Sequence, residues 1–176
     1  MFTNLLNGAR FHLTPTMHGP VDIEQIAHSL GNICRFTGAG KFYSVAEHSY
    51  WMSMLVSEEH AYEALMHDAH EFVMGDINRI IKNCIPEIEA FEHKVAAYIR
   101  PILGLRPSLS AEVLEMDDRL AVTEAIFLGL DTLSSIHDWS NQWPVAFEPL
   151  LLGPEKATEL FQRRYLQIGL PKKYGI

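Results

Sequence analysis

The sequence predicts an all-α fold. Apolar residues recur at helical spacing along most of the chain, polar capping residues precede several of these runs, and no stretch sustains the period-two alternation of a β-strand. The length of 176 residues and the apolar fraction of 48% suit one domain with a substantial core. We therefore expect a single, compact helical bundle over residues 1–176.

The first half of the chain contains signals for three helices. Residues 1–20 contain several Gly and Pro and are expected to be irregular. Asp22 is placed to cap a first helix, and Ser44, with Glu47 three residues later, predicts a capping box at the start of a second. The spacing of apolar residues then predicts a third, continuous helix over residues 57–75.

The second half predicts three more helices and a loop. A short segment at 76–82 separates the third helix from an amphipathic helix at 87–103. The next helix opens at Ser108 or Ser110 and runs to about residue 130. Residues 134–149 predict a loop that packs on the core, and the last helix begins at Gly153-Pro154.

Composition excludes several classes of protein. The net charge of −8 disfavours nonspecific binding of DNA or RNA, which needs a basic face. No apolar run resembles a signal peptide or is long enough to span a membrane. Cys34 and Cys84 show neither CxxC spacing nor a disulfide pattern, which favours two reduced thiols in a cytoplasmic protein.

Four residues in three predicted helices could share a metal ion. His67-Asp68 alone is more often a solvated pair, and a single His such as His48 is usually a satisfied core residue. However, His48 and Asp117 both fall on core-facing stripes, where a carboxylate is costly unless it is paired or bound to metal. Because one borderline divalent cation accepts imidazole nitrogen and carboxylate oxygen together, it would satisfy all four.

Motifs throughout the first two thirds of the chain carry a family resemblance. They are Asp22-Ile23 with Ile26-Ala27-His28-Ser29-Leu30, Cys34-Arg35-Phe36-Thr37-Gly38, Phe42-Tyr43-Ser44-Val45-Ala46-Glu47-His48-Ser49, His67-Asp68-Ala69 with Glu71, Gly75-Asp76-Ile77 with Lys82, and Asp117-Asp118-Arg119 with Thr123-Glu124-Ala125. Together they resemble the HD-domain superfamily of metal-dependent phosphohydrolases, and within it phage and bacterial members of the 5′-deoxynucleotidase-like branch. The matching motifs cover about residues 20 to 130.

The resemblance implies a compact HD-domain bundle and an H…HD…D set of metal ligands. In this sequence the set falls on His48, His67, Asp68 and Asp117, and its register selects Asp117 over the neighbouring Asp118. The implied cofactor is a divalent ion, either Zn, Co, Mn or Mg. Relatives of this fold self-associate, so a homo-oligomer is expected, and the loop with Trp139 and Trp143 could serve as its interface.

The resemblance also implies hydrolysis of a phosphoester in a deoxynucleotide. Size and N-terminal layout favour the dATP triphosphohydrolases of phages that replace adenine with diaminopurine, which would place the protein in the host cytoplasm. One alternative is a 5′-deoxynucleotidase that acts on deoxynucleoside monophosphates. Others are a non-catalytic nucleotide-binding protein that retains the fold, and a helix bundle in which the metal is purely structural.

Two acidic residues are candidates for catalysis. Glu71 follows His67 by four residues, so on a continuous helix it shares that residue's face and can accept a proton from the attacking water. Asp76 could orient the nucleophile or the 3′-hydroxyl group. The alternatives are a surface carboxylate for Glu71 and a helix cap for Asp76.

Three residues are candidates for substrate binding. Arg35 lies in an apolar segment and favours a phosphate, with a structural salt bridge as the alternative. Lys82 could bind an outer phosphate or be a solvated lysine at a helix end, with Arg79 as a weaker candidate for the same role. Ile23 is the candidate to crowd the purine 2-position.

His70 departs from the family pattern. This position is usually small in the related proteins, whereas here it carries an imidazole next to Glu71. The side chain could line a pocket, act as an alternative ligand or be an exposed bystander. Because the four-ligand set is already complete, pocket lining or a bystander role is favoured.

Overall fold

A computed structural model describes residues 1–132, 140 and 142–169. These residues are predominantly helical, which confirms the predicted all-α class. The α-helices are α1 (Ile23–Asn32), α2 (Val45–Leu55), α3 (Ala61–Met66), α4 (Glu71–Met74), α5 (Arg79–Cys84), α6 (Pro86–Ile102), α7 (Ala111–Phe127) and α8 (Pro154–Ile168). Short 3-10 helices occupy Leu6–Gly8, Phe36–Gly38 and Glu58–His60.

The N-terminal segment, expected to be irregular, contains a β-hairpin. Strands β1 (Phe2–Asn4) and β2 (Arg10–His12) pair antiparallel, with Thr3 opposite Phe11. Phe11 is fully buried and anchors the hairpin on the helices. Each strand has only three residues, which is too short for a period-two pattern to be visible in the sequence.

The predicted N-caps of α1 and α2 are confirmed. The Asp22 side chain accepts a hydrogen bond from the backbone N–H of Gln25 (2.9 Å), and the Ser44 hydroxyl accepts one from that of Glu47 (3.1 Å). In a full capping box the Glu47 side chain would also accept from the backbone N–H of Ser44, but here it makes a different interaction. The Glu47 carboxylate accepts from the backbone N–H groups of 150–152, so it holds the segment that precedes α8.

The prediction of one continuous helix over residues 57–75 is wrong. Residues 67–70 form a turn between α3 and α4, where the backbone N–H of Glu71 bonds to the carbonyl of Asp68 (2.9 Å) and that of Phe72 bonds to Ala69 (3.2 Å). These three-residue hydrogen bonds wind the chain more tightly than an α-helix does. His67 and Asp68 therefore begin a tight turn, not a helix interior.

The predictions for the second half hold, with changes at the boundaries. Residues 79–84 form the short helix α5 in the segment that was expected to separate two helices. The Ser110 hydroxyl accepts from the backbone N–H of Val113 (3.4 Å), which selects Ser110 over Ser108 as the cap of α7. Residues 142–153 contain no helix or strand, whereas most of the rest of the predicted loop, including Trp139, lies outside the described residues.

Two apolar clusters hold the helices together. The main core joins the hairpin, α1, α3, α6 and α8 through buried side chains that include Phe11, Ile26, Leu65, Ile99 and Phe161. A smaller cluster of Met52, Ala64, Val113 and Leu120 joins α2, α3 and α7. This smaller apolar cluster sets the relative positions of the three segments that carry the predicted metal ligands.

Two further expectations bear on the class of protein. Both cysteines are free thiols, as their spacing predicted. None of the helices in the described part of the chain has the length and apolar character needed to cross a membrane.

Candidate metal centre

The four predicted metal ligands come together in one cluster, which we call the primary cluster. His48 lies on α2, His67 and Asp68 on the turn after α3, and Asp117 on α7. The Nε2 atoms of His48 and His67 are 3.2 Å apart. His48 Nε2 lies 3.2 Å from Asp117 Oδ1, and His67 Nε2 lies 3.1 Å from Asp68 Oδ2.

The primary cluster is buried on its imidazole side and accessible on its carboxylate side. The side chains of His48 and His67 are 0% and 1% exposed, whereas those of Asp68 and Asp117 are 17% and 30% exposed. A small molecule can therefore approach the cluster over the two carboxylates.

Hydrogen bonds on the far side of both imidazoles fix which nitrogen faces the cluster. His67 Nδ1 donates to the carbonyl oxygen of Ala64 (2.8 Å), which can only accept. His48 Nδ1 donates to the fully buried carboxylate of Glu124 (2.7 Å). In each ring Nε2 is consequently the atom directed at the primary cluster, an arrangement typical of metal-binding histidines.

Glu124 was not predicted as a site residue. Besides His48, its carboxylate accepts hydrogen bonds from the Tyr43 hydroxyl (2.8 Å) and from Arg35 Nε (3.0 Å). The sequence did contain a signal, because Glu124 follows Asp117 by seven residues on the same core-facing stripe of α7. A buried carboxylate at that position needs polar partners, just as Asp117 does.

The electrostatics of the primary cluster favour a bound positive charge. Burial and the Arg35 charge lower the pKa of His48, but Glu124 and Asp117 outweigh them and raise that pKa to about 9. Burial alone would raise the pKa of Asp117, whereas its hydrogen bond with His48 lowers that pKa to about 2. Burial alone would also raise the pKa of Asp68, but the neighbouring His67 lowers that pKa well below the usual range.

The donor atoms fit a divalent cation. Ligand atoms of His48, His67 and Asp117 all lie within 4.8 Å of one another, and Asp68 Oδ2 is 3.9 Å from His48 Nε2. Ligands about 2.0–2.2 Å from a shared ion lie roughly 3–3.5 Å apart, close to the separations in the cluster. Two imidazoles and two carboxylates suit a borderline cation such as Zn²⁺, Co²⁺ or Mn²⁺, and these buried groups could therefore bind a metal ion.

Arg35 reaches the edge of the primary cluster. Its Nη1 lies 3.8 Å from Asp68 Oδ2, while its Nε is ion-paired with Glu124. The alternative weighed for this residue, a structural salt bridge, is therefore present. Lys82 is also paired, since its Nζ lies 2.9 Å from Glu92 Oε2.

Glu71 is grouped with other residues than the four predicted ligands, although the charge of Asp68 acts on it. The turn at 67–70 removes the α-helical spacing that was expected to place it on the face of His67. Its buried carboxylate lies within 4.8 Å of ligand-type atoms of His70 and Glu92. Burial, followed by the charges of Asp68 and Asp76, raises the pKa of Glu71 well above its usual value.

The remaining predicted residues take different positions. The half-buried Asp76 interacts electrostatically with Arg35 and Asp68, which places it near the primary cluster. Ile23, the first residue of α1, packs against the main core. Asp118 is exposed and pairs with Arg79 (2.6 Å), in agreement with the choice of Asp117 as the ligand.

Two uncharacterized proteins are similar to this chain in sequence. YfdR, an uncharacterized protein of Escherichia coli (strain K12), is 37% identical over an alignment of 181 residues that covers 98% of both chains. The chain belongs to the YfdR family. A further relative, the uncharacterized protein RCAP_rcc00048 of Rhodobacter capsulatus, is 36% identical over 120 residues, or 62% of this chain and 61% of its own length. No protein-family model matches the sequence.

The alignment with YfdR runs over nearly the entire chain, so it spans α2, the turn at 67–70 and α7 together. Membership of the YfdR family therefore concerns the whole fold that assembles the primary cluster, and not one motif within it.

Proposed function

We propose that the chain is a metal-dependent phosphohydrolase of the HD-domain superfamily that acts on deoxynucleotides. The observation that carries this proposal is the primary cluster, in which two imidazole Nε2 atoms, held by buried acceptors, meet two carboxylates within 3.1–3.9 Å. The motif resemblance supports the same superfamily, and it supplies the substrate class.

The four ligands would hold a divalent ion, with Zn, Co, Mn and Mg as candidates. When bound, such an ion polarises a phosphate oxygen and lowers the pKa of a bound water. Hydrogen bonds from Nδ1 of His48 to Glu124 and from Nδ1 of His67 to the Ala64 carbonyl orient both Nε2 atoms for this role, and a bound ion would replace the proton that the raised pKa of His48 favours.

Glu71 is the proposed proton acceptor for the attacking water. Its carboxylate is buried among other acidic groups, which raises its pKa toward the range useful for a general base. Asp76, on the segment after α4, is proposed to orient the water or the 3′-hydroxyl group. The water oxygen bonds to phosphorus, one water proton passes to Glu71, and the bond from phosphorus to the leaving 5′-oxygen breaks as that oxygen takes up a proton.

Arg35 is the proposed phosphate ligand closest to the primary cluster. Only its Nε is bonded to Glu124, and Nη1 already lies at the Asp68 edge of the cluster. A guanidinium at that position can donate to a phosphate oxygen without leaving its buried partner. Lys82 would contribute a second positive charge if it exchanged Glu92 for an outer phosphate.

The first candidate substrate is dATP, cleaved with water to deoxyadenosine and triphosphate, which would deplete the dATP pool. This choice rests on the resemblance to phage dATP triphosphohydrolases. Ile23 remains the candidate for crowding the purine 2-position, and its place at the start of α1 puts it on the main core.

A 5′-deoxynucleotidase acting on monophosphates is the second candidate, and one observation favours it. Lys82, the residue expected to bind an outer phosphate, is already paired with Glu92. A monophosphate carries less charge and needs fewer free cations than a triphosphate does.

A product assay decides between these candidates. The protein is incubated with dATP or dAMP and Mn²⁺, Co²⁺, Zn²⁺ or Mg²⁺, and ³¹P NMR identifies the phosphate released. Triphosphate from dATP supports the first candidate, whereas orthophosphate from dAMP supports the second. His67→Ala should abolish either activity, and His60→Ala should retain it, because the half-buried His60 pairs with Glu59 and Glu112 and is not part of the primary cluster.

Failure of the metal-loaded protein to hydrolyse any deoxynucleotide would refute a catalytic role. Nucleotide binding without turnover would then indicate a non-catalytic nucleotide-binding protein. Metal-dependent folding without nucleotide binding would indicate a structural ion.

A further inference from the structure

A second cluster of ligand-type side chains lies beside the primary cluster. It comprises His70, Glu71 and Glu92, whose ligand atoms all lie within 4.8 Å of one another. His70 and Glu71 come from the turn into α4, and Glu92 comes from α6. Their exposed fractions are 9%, 4% and 7%, so the His70 imidazole is buried, which excludes the exposed-bystander alternative and leaves pocket lining or a ligand role.

Two polar atoms of the second cluster are buried without a hydrogen-bond partner among the described residues. They are Glu71 Oε2 and His70 Nδ1. A buried carboxylate oxygen is normally paired, because losing water without gaining a donor is unfavourable. The two unpaired atoms can both donate an electron pair, so together they indicate a site for a bound cation.

Lys82 neutralises only part of the second cluster. Its Nζ lies 2.9 Å and 3.1 Å from the two oxygens of Glu92, whose Oε1 is also 3.3 Å from His70 Nε2. The charges of Asp68, Asp76 and Glu92 raise the pKa of Glu71 and that of Arg35 lowers it, but within the part of the chain that the structure describes no salt bridge reaches the Glu71 carboxylate. A divalent cation bound directly to the second cluster would supply the contact that Glu71 lacks.

We propose that His70, Glu71 and Glu92 form a second divalent-cation site beside the primary cluster, to which Glu71 contributes one carboxylate oxygen and leaves the other for the proton-accepting role proposed above. One imidazole nitrogen and two carboxylates favour a borderline ion such as Mn²⁺, Co²⁺ or Zn²⁺ over Ca²⁺. The Lys82 ammonium is the competing cation. Its side chain is 25% exposed, so on metal binding it leaves Glu92 and turns toward solvent.

Mn²⁺ titration of the full chain tests this proposal. Chelator-treated protein is titrated with Mn²⁺ alone, free Mn²⁺ is followed by EPR, and the number of ions bound per chain is counted. We expect two for the parent and one for His70→Ala. The matched control is His93→Ala, an exposed histidine next to Glu92 on α6, which should keep two.

Glu92→Gln is the second variant, because it keeps the size of the side chain if loss of the imidazole prevents folding. It should also bind one Mn²⁺, and circular dichroism checks that each variant remains helical. His48→Ala should likewise bind one ion, now held by the second cluster.

A single Mn²⁺ in the parent, or two in folded His70→Ala or Glu92→Gln, would overturn the second site. The titration contains no nucleotide, so its result is independent of the proposed hydrolase activity. Absence of hydrolysis with two bound ions would refute the function alone, and hydrolysis with one bound ion would refute the second site alone.

Discussion

Glu124 links three residues of the candidate site through one buried carboxylate. It accepts hydrogen bonds from His48, Tyr43 and Arg35, and it is fully excluded from solvent. Because it holds the His48 ring with Nε2 toward the primary cluster, it is a positioning residue for the proposed metal. Loss of the Glu124 carboxylate should therefore weaken metal binding by changing the orientation of His48, since Glu124 is not proposed to contact the ion.

Glu124→Gln should weaken metal binding at the primary cluster by about 10- to 100-fold, because the amide no longer fixes His48 as strongly as a carboxylate does. Competition with a chromophoric chelator measures the affinity. Glu115→Gln on the same helix is the control, since Glu115 is exposed and pairs with Arg119 outside the primary cluster. An unchanged affinity in Glu124→Gln would contradict the positioning role.

The residues of the primary cluster could be predicted from the sequence, whereas their surroundings could not. The core-facing register of His48 and Asp117 marked both as residues that need a partner. The pairing of Glu124 with His48 depends on how α2 packs against α7, over 76 residues of sequence separation. Periodicity identifies a buried face but does not say which residue lies opposite it.

Helix boundaries followed local signals, and the errors came from tertiary packing. The caps at Asp22, Ser44 and Ser110 were visible because the cap and the N–H groups it binds are neighbours in sequence. The break in the helix at 67–70 was not visible in the sequence, because the apolar residues on either side of it keep a nearly helical spacing. That turn changes the site, since it brings the ligand atoms of Glu71, His70 and Glu92 within 4.8 Å of one another.

The close approach of α1 and α8 depends on Gly31. A Cβ added there would collide with the Thr158 hydroxyl and lie 2.9 Å from the carbonyl oxygen of Pro154. Gly31→Ala should therefore destabilise the protein by about 1–3 kcal/mol, despite the better helix propensity of Ala. Urea denaturation measures the change. Gly153→Ala, where a Cβ meets nothing within 4 Å, is the matched control.

The segment before α8 depends on Glu47. Its carboxylate accepts from the backbone N–H groups of Leu150 (2.6 Å), Leu151 (3.1 Å) and Leu152 (2.8 Å). Glu47→Gln should lower the free energy of unfolding by about 1.5–3 kcal/mol, because charge-assisted hydrogen bonds are replaced by weaker ones. Chemical denaturation compares it with Glu59→Gln, a change at an exposed residue. Equal stability of the two variants would contradict this anchoring role.

The primary cluster joins parts of the chain that are distant in sequence. Its ligands lie at 48, 67–68 and 117, on segments that otherwise meet through the small apolar cluster of Met52, Ala64, Val113 and Leu120. An ion held by all three segments binds the folded chain and not the unfolded one. Metal binding should therefore stabilise the whole molecule, whatever the substrate is.

At a free ion concentration about 100 times the dissociation constant, this linkage contributes about 2.7 kcal/mol. For a chain of this size the melting temperature should rise by roughly 5–10 °C. Differential scanning calorimetry with Mn²⁺ and with a chelator measures the shift. His67→Ala should lose this increment, whereas His60→Ala should keep it. An equal rise in His67→Ala would mean that the stabilising ion binds outside the primary cluster.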